Sequence, residues 1–506
     1  MVHSLGITLD PESDAPLYRQ IAEQLAARIR QGTLPAGFKL PPSRRLAGQL
    51  GAHRNTVVRA YEALGAGGLI TSTVGRGTFV ADRVDAPPQR TEALGELPWG
   101  TLLSRAAEGE RLARLERLAR TAVAGDVINL TRMQPSDDLL PHDLMRRCVD
   151  HVFRAEGPAA LGYASRQGLP RLRELIVEDL ARVGVPASAD HLLVTTGSQQ
   201  GIDLIARALV NPGDAFLTEG RTYSGALNVL AASGARVVGV ACDEQGPEIS
   251  ALQAYARRRV KGLYLIPNSR NPTGTTISTA RREAIISWSH RASVPLVEDD
   301  YGADLDLDGR PAPPALRALD PDVFYLGTFS KKLIPALRVG FVLSPAPLTQ
   351  TLVSLKHAMD LGTSALLQHA LAEFLARGYM RTHLKRLLPA YRDRRDALAE
   401  ALRAHLPPEV SWAPPSRGVV QWLTLPAGVS AEEAFEEAKR QGVLVSPGSL
   451  YTTGARSREG LRLCLCAEPP ARLADGARRL GRALDTLMRR RRAASAAPAR
   501  ATIDLF

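Results

Sequence analysis

Lys331 lies in the stretch Leu326-Gly-Thr-Phe-Ser-Lys-Lys-Leu-Ile-Pro-Ala-Leu-Arg338-Val-Gly340, with Arg338 seven residues beyond it. A lysine amine is the side chain that condenses with an aldehyde, and the flanking Thr328, Ser330 and Arg338 supply hydroxyls and a guanidinium of the kind that grip a phosphate. An aldehyde that carries a phosphate is pyridoxal 5'-phosphate (PLP), and this turn has the groups a PLP site needs. The plain alternative is a surface lysine, but lysine is scarce here: seven of the 64 basic residues.

Other segments offer complementary chemistry. Thr195-Thr-Gly197-Ser198-Gln199-Gln200-Gly201 follows a β-branched run and opens a helical period. Its backbone N–H groups, with Ser198 and Gln199, form an anion cradle at the positive end of a helix. Val297-Glu-Asp299-Asp300-Tyr301 ends another β-branched run, where α/β sheets collect ligand groups. Asn271-Pro-Thr-Gly274 is a turn by composition. Arg462, in Gly460-Leu-Arg-Leu, places a bidentate fork on a strand, which suits a carboxylate.

These residues need a frame. Short β-branched runs at 192–196, 215–218, 236–241, 262–266, 295–299, 323–327 and 339–343 alternate with helical periods, which predicts a largely parallel α/β sheet. Strands near 419–425 and 461–466, with helices between, predict a smaller α+β unit. At 506 residues the chain is expected to be multidomain. The expected divisions are an N-terminal module over 14–82, a linker with a helix carrying Leu112, Leu115 and Leu118 over 83–125, a cofactor domain over 126–490 whose small subdomain starts near 385, and a disordered basic tail over 491–506.

The N-terminal module is read from charge and period together. Between Pro16 and Val80 nine Lys/Arg stand against two acidic residues, within a chain of formal net charge +12; this suits nucleic acid. Leu17, Ile21, Leu25 and Ile29 mark one helix, stopped by Gly32 and Pro35. Ser43 after two prolines reads as the N-cap of a second helix, with Gly51 as its stop. A third helix spans roughly His53 to Leu64, and two strands around Gly75-Arg76-Gly77 read as a wing. The alternative is a solvated basic face on a small packing domain. Four scattered cysteines read as small buried hydrophobes in a reducing cytosol. The polar N-terminus and the lack of a spanning apolar run predict a soluble cytoplasmic protein without a membrane partner.

Leu40-Pro-Pro-Ser-Arg44, Leu46-Ala47, Leu50-Gly51, Arg54-Asn-Thr-Val57, Tyr61, Leu64 and Gly75-Arg-Gly-Thr-Phe-Val80 resemble the GntR family of winged helix-turn-helix regulators. The resemblance implies a recognition helix beginning near His53. It places Arg44, Arg45, His53, Arg54, Asn55, Thr56 and Arg59 at the DNA, with Arg76 reaching from the wing. His53 departs from the serine usual there. The region from Asp126 to about Arg490 resembles the class I/II aminotransferases of fold type I, and the whole chain resembles a MocR/GabR-type regulator.

That second resemblance implies PLP as cofactor and Lys331 as its Schiff-base lysine, the catalytic residue. It gives the phosphate to Ser198, Gln199, Thr328, Ser330 and Arg338, and the ring hydroxyl to Asn271 and Tyr301. Asp299 pairs with the pyridine nitrogen, with Asp300 as the competing candidate; Tyr223 stacks on the ring, and Tyr163 reaches the phosphate of a partner subunit. Arg462 takes the carboxylate of an amino acid. GabR-type effector sites carry a second arginine two residues after the stacking tyrosine. Here that position is Gly225, which argues against GABA as ligand. Lys332 is expected to point elsewhere and carry no role. The expected function is a PLP-dependent, DNA-binding regulator that senses an amino acid, amine or PLP itself through aldimine chemistry at Lys331, as a homodimer on double-stranded operator DNA. The alternative is an active aminotransferase moving an amino group between an amino acid and a 2-oxoacid.

Overall fold

The computed structural model describes residues 5–10, 13, 15–73, 77–81, 97, 102–104, 107, 125–256, 258–453 and 459–496. The chain falls into two compact units, 1–103 and 104–506. Arg76 and the helix expected around Leu112, Leu115 and Leu118 lie outside the described residues.

In the first unit, helices α1 (Leu17–Arg30), α2 (Ser43–Leu50) and α3 (Arg54–Ala66) pack with a three-stranded sheet of β1 (Lys39–Leu40), β2 (Ile70–Thr73) and β3 (Gly77–Val80), in the order β1-β3-β2. The apolar periods explain the packing: Ile21, Leu25, Ile29, Leu46, Val57, Leu64, Ile70 and Val80 share one buried core. The expected Ser43 cap is corrected. Pro42 is the N-cap, and Ser43 is the first helical residue, with no side-chain cap bond. Pro42 is held extended, and its carbonyl already accepts the N–H groups of Arg45 and Leu46 at 2.8 and 3.0 Å, so the helix opens one residue early. Gly51 ends it in the left-handed conformation (φ +62°).

The second unit is built on strands β4 (Ile128–Asn129), β5 (Leu192–Thr195), β6 (Ala215–Glu219), β7 (Arg236–Val240), β8 (Cys242–Asp243), β9 (Gly246–Pro247), β10 (Val260–Leu265), β11 (Leu296–Asp299), β12 (Phe324–Thr328) and β13 (Gly340–Leu343). Seven of these form one sheet in the order β5-β13-β12-β11-β10-β6-β7. All are parallel except β13, which is antiparallel to both neighbours. The seven β-branched runs fall on these seven strands. Because β13 runs backwards, its first residue Gly340 pairs with Thr328 and Thr195. Three loops therefore meet at the carboxyl edge of the sheet, where helix-covered sheets place ligand groups.

A smaller antiparallel sheet follows, of β14 (Ser411–Trp412), β15 (Val420–Thr424), β17 (Ser446–Pro447) and β18 (Gly460–Cys464), in the order β14-β15-β18-β17. Helices Tyr379–His405 and Pro470–Ala496 share its core. Strand β16 (Val443–Leu444) pairs in parallel with β4 and ties residues 128–129 to this lobe. The tail expected from 491 is corrected at its start: the last helix runs on to Ala496. The chain there is held by charge, with Arg490, Arg491 and Arg492 paired to Glu437, Glu433 and Glu409.

Candidate functional site

The reader unit presents Arg44, Arg45, His53, Arg54, Asn55 and Arg59 exposed, and Thr56 half-buried. His53 does in its own way what a serine would do there: Nδ1 accepts the Asn55 N–H at 3.3 Å and caps α3. Arg59 differs from its neighbours, since its guanidinium sits 4.4 Å from the centroid of the Tyr18 ring, a cation–π contact within the unit.

In the second unit Lys331 follows the buried strand β12 through Phe329, itself packed in the core beside Phe341. Burial pushes the Lys331 ammonium below its usual range, and the nearby Arg462 and Arg338 act in the same direction. Lys331 Nζ donates to the Met133 carbonyl at 2.7 Å. The Thr328 hydroxyl donates to Ser330 Oγ at 3.1 Å, and both residues are buried. Arg338 sits in the left-handed region (φ +50°), a conformation sparsely used by non-glycine residues and typical of sites under constraint. Its exposed guanidinium lies 3.4 Å from the Thr196 carbonyl. It also lies against Gly197, where a Cβ would come within 2.9 Å of Nη2.

Gly197 (φ +84°) opens the helix Ser198–Leu209. A half-buried network, with Lys356 fully buried, props this turn. The Thr196 N–H donates to Gln200 Oε1, Gln200 Nε2 donates to Asp360, and Lys356 donates to both Asp360 oxygens at 2.8 Å. Gln199 Nε2 donates to the Gly225 carbonyl, so that amide already spans to the next loop. Tyr223 folds over Gly225: a Cβ at 225 would meet the tyrosine ring at 2.4–2.5 Å.

Asp299 and Asp300 leave β11 in different surroundings. Asp299 Oδ2 accepts from the Tyr264 hydroxyl at 2.5 Å. Burial pushes its carboxyl up to about 7, the Tyr264 bond and Lys331 working against that rise and Asp300 adding to it. Asp300 Oδ2 accepts from Asn268 and Tyr325, each at 3.1 Å. It faces a polar recess shared with Asp179, Asp304 and Lys332. Lys332, expected to carry no role, is ion-paired there with Asp304 and lies 3.8 Å from Asp179. The Tyr301 hydroxyl donates to the Ser269 carbonyl at 2.7 Å. The Asn271 loop is anchored by the buried Arg270–Glu219 ion pair at 2.6 Å. Arg462, on β18, donates to the Thr131 carbonyl at 2.8 Å and lies over the Tyr451 ring. Tyr163 is 90% exposed and does not join these groups within the single chain.

Several buried polar atoms here have no partner: Asp299 Oδ1, Asn271 Oδ1, Gln199 Oε1 and Arg462 Nε. An unsatisfied buried polar group costs about 1–3 kcal/mol, so a concentration of them marks a place built for a polar ligand. The set suits PLP. It pairs a buried amine with a carboxylate for a cationic ring nitrogen, groups for a ring hydroxyl, and a helix N-terminus with a guanidinium for a phosphate.

Tyr264, Met133, Thr131 and Ser269 were not singled out from the sequence. Tyr264 carried a faint signal as a lone aromatic near the end of a β-branched run. Met133 and Thr131 reach the site through main-chain carbonyls, which residue types do not announce. Cys464 and Cys466, both buried, donate to the Thr131 and Arg132 carbonyls of the same segment. Among the described residues no helix is long and apolar enough to cross a membrane.

Residues 17–80 match the family of bacterial regulatory proteins, gntR family, and residues 125–480 match the family aminotransferase class I and II, whose solved relatives are PLP-dependent enzymes. The chain is 32% identical over 456 residues to the uncharacterized HTH-type transcriptional regulator YisV of Bacillus subtilis, covering 89% of this chain and 92% of that one. It is 31% identical over 473 residues to the probable rhizopine catabolism regulatory protein MocR of Rhizobium meliloti, covering 93% and 94%. Among solved structures, the α-aminoadipate aminotransferase LysN of Thermus thermophilus, complexed with N-(5'-phosphopyridoxyl)-L-leucine, superposes with a TM-score of 0.72 at 30% identity, covering 78% of this chain and 100% of that one. A GntR-type reader and a class I and II aminotransferase domain thus share one chain, matched over about nine-tenths of its length by regulators, and the chain belongs to the MocR-type HTH transcriptional regulators.

Proposed function

We propose that this regulator binds PLP at Lys331 and senses an amine or amino acid there, and that occupancy changes how its reader units engage operator DNA. The observation that carries the reading is the group of unpartnered buried atoms around Lys331, in a chain that also carries a basic winged helix. When bound, PLP supplies a carbonyl that condenses with amines and a ring that withdraws electrons. The chain's residues do the rest. The lowered Lys331 ammonium keeps a share of neutral, nucleophilic amine. The Tyr264 hydroxyl favours the charged form of Asp299, which holds a proton on the ring nitrogen. Asn271 and Tyr301 orient the ring hydroxyl, and Tyr223 covers the ring. The phosphate falls to Arg338, Ser330, Thr328 and the backbone N–H groups of Ser198 and Gln199. Arg462 receives the carboxylate of the effector.

In this reading the protein works in the cytoplasm as a homodimer, and the exposed Tyr163 serves the phosphate of the second copy. Arg44, Arg45, His53, Arg54, Asn55, Thr56 and Arg59, with Arg76, form the DNA face, positioned by phosphate contacts and specified by base edges. A pre-existing equilibrium between two arrangements of the readers, biased by the effector, is enough to couple the sites. The test is the visible absorption of PLP-loaded protein, titrated with amino acids while DNA binding is followed in the same samples. Spectral and DNA responses that both vanish in Lys331→Ala support the reading. Sustained 2-oxoacid turnover without a DNA response supports an aminotransferase instead.

A further inference from the structure

Met133 touches two of the groups that the proposed effector would use and one proposed for the cofactor ring. Its carbonyl accepts from Lys331 Nζ at 2.7 Å. Its sulfur lies 3.8 Å from Asn271 Nδ2 and 4.0 Å from Arg462 Nη1. One residue therefore sits between the amine, the loop proposed for the cofactor ring and the carboxylate grip. Arg462 leaves its Nε buried without a partner. It is held by main chain from the same segment, the Thr131 carbonyl at 2.8 Å. The segment is fixed in turn. Cys464 N–H donates to the Leu130 carbonyl at 2.7 Å, and Asn129 Oδ1 accepts from Thr131 N and Oγ1 at 2.9 and 2.7 Å. The backbone is thus pinned while the half-buried Met133 side chain occupies the space beside it.

We infer, resting on the PLP reading above, that Met133 determines which amino acids the effector site accepts. A ligand whose amine occupies the position of Lys331 Nζ and whose carboxylate meets Arg462 spans the space that Met133 touches on both sides. Its α-substituent then packs on the thioether. Methionine is unbranched and polarizable, and it yields by rotating about its side-chain bonds. It therefore admits α-amino acids with small or unbranched apolar side chains and limits bulk. Differences of a few methylenes in an apolar pocket are worth about 10- to 200-fold in discrimination, so the residue has leverage over specificity without taking part in bonding.

The test uses the full chain stripped of cofactor and two probes, N-(5'-phosphopyridoxyl)-glycine and N-(5'-phosphopyridoxyl)-L-leucine, with affinities read by calorimetry. Met133→Ala is expected to shift the leucine-to-glycine affinity ratio toward leucine by about tenfold, and Met133→Phe to shift it the other way. Met133→Leu, close in volume, is expected to keep the ratio near wild type; if the alanine variant folds poorly, Met133→Val takes its place with the same expected direction of shift. An unchanged ratio in both the alanine and phenylalanine variants overturns the inference. If wild-type protein binds neither probe nor PLP, the PLP reading itself fails, and that result is distinct from an unchanged ratio.

Discussion

Asp299 and Lys331 face one side of the β11–β12 edge; Asp300 and Lys332, each one residue later, face another. The first pair is unfinished. Asp299 keeps one oxygen without a partner, and Lys331 has a main-chain carbonyl as its hydrogen-bond acceptor. Burial lowers the Lys331 ammonium. The second pair is largely built into the frame. Burial opposes the Lys332 ammonium, but Asp304 and Asp179 raise it; Asp300 also keeps one oxygen without a partner, while Asn268 and Tyr325 both hold the other. Residue type is matched and each aspartate keeps one oxygen open, so what separates the pairs is that Lys332 already has carboxylate partners and Asp300 two donors, whereas Lys331 has only a main-chain carbonyl and Asp299 one donor. Buried charges that are paired serve the fold, and those left open mark the site.

That contrast can be broken at its strongest point first. Lys331→Ala is expected to abolish the visible band of PLP-loaded protein, whereas Lys332→Ala keeps the band and loses roughly 3–5 kcal/mol of stability in urea unfolding, the cost of stranding a buried charge. A band that survives Lys331→Ala, or disappears in Lys332→Ala, reverses the assignment. Next, Asp299→Asn is expected to weaken PLP binding by about 1.5–3 kcal/mol, tenfold or more, through loss of a charged hydrogen bond. Asp300→Asn should leave PLP affinity within a few-fold of wild type, and equilibrium dialysis separates the two.

The open pair also predicts a pH effect in cofactor-free protein. Burial raises Asp299 and its neighbour Glu298 to about 7, from the ordinary 3.8 and 4.5. Between those limits the unfolded chain has released protons that the folded chain still holds. Stability contributed by these groups is complete below the unfolded values, declines as pH rises toward about 7, and is lost above it. Asp299→Asn removes its share, so the variant should melt a few degrees above wild type at about pH 8 and level with it at about pH 4. The smallest effect extends the contrast to the reader. Exposed Arg54→Ala should lower the salt slope of DNA binding by about one. Arg59→Ala, taken off the Tyr18 ring, should cost about 0.5–1 kcal/mol of stability and change the slope less.

How far the sequence reached follows the same division. The seven strands were legible because β-branched runs are periodic and local, and the three reader helices because their apolar faces repeat at helical spacing. Lys331, Arg338, Asp299 and Asn271 stood out because their residue types suit a phosphorylated aldehyde. The backward direction of β13 was not legible, since hydrophobic pattern carries no strand polarity. Pro42 took the cap from Ser43 because backbone conformation outweighed side-chain preference. Thr131 was invisible because it acts through its carbonyl, and Met133 because both its carbonyl and its sulfur reach the site only through β4–β16 pairing, a contact between residues over three hundred positions apart. Tyr264 needed the parallel register of β10 and β11 before its hydroxyl could be placed on Asp299.

The central claim is that chemistry at Lys331 is read out on DNA. The most direct measurement is the affinity of PLP-loaded full chain for the DNA flanking its own gene, by fluorescence anisotropy, across a panel of amino acids and amines, in wild type and Lys331→Ala. The account predicts that at least one amino acid or amine changes the wild-type affinity by about 5- to 150-fold and leaves Lys331→Ala unmoved. DNA affinity that is indifferent to every amine, alongside steady 2-oxoacid turnover, would contradict it.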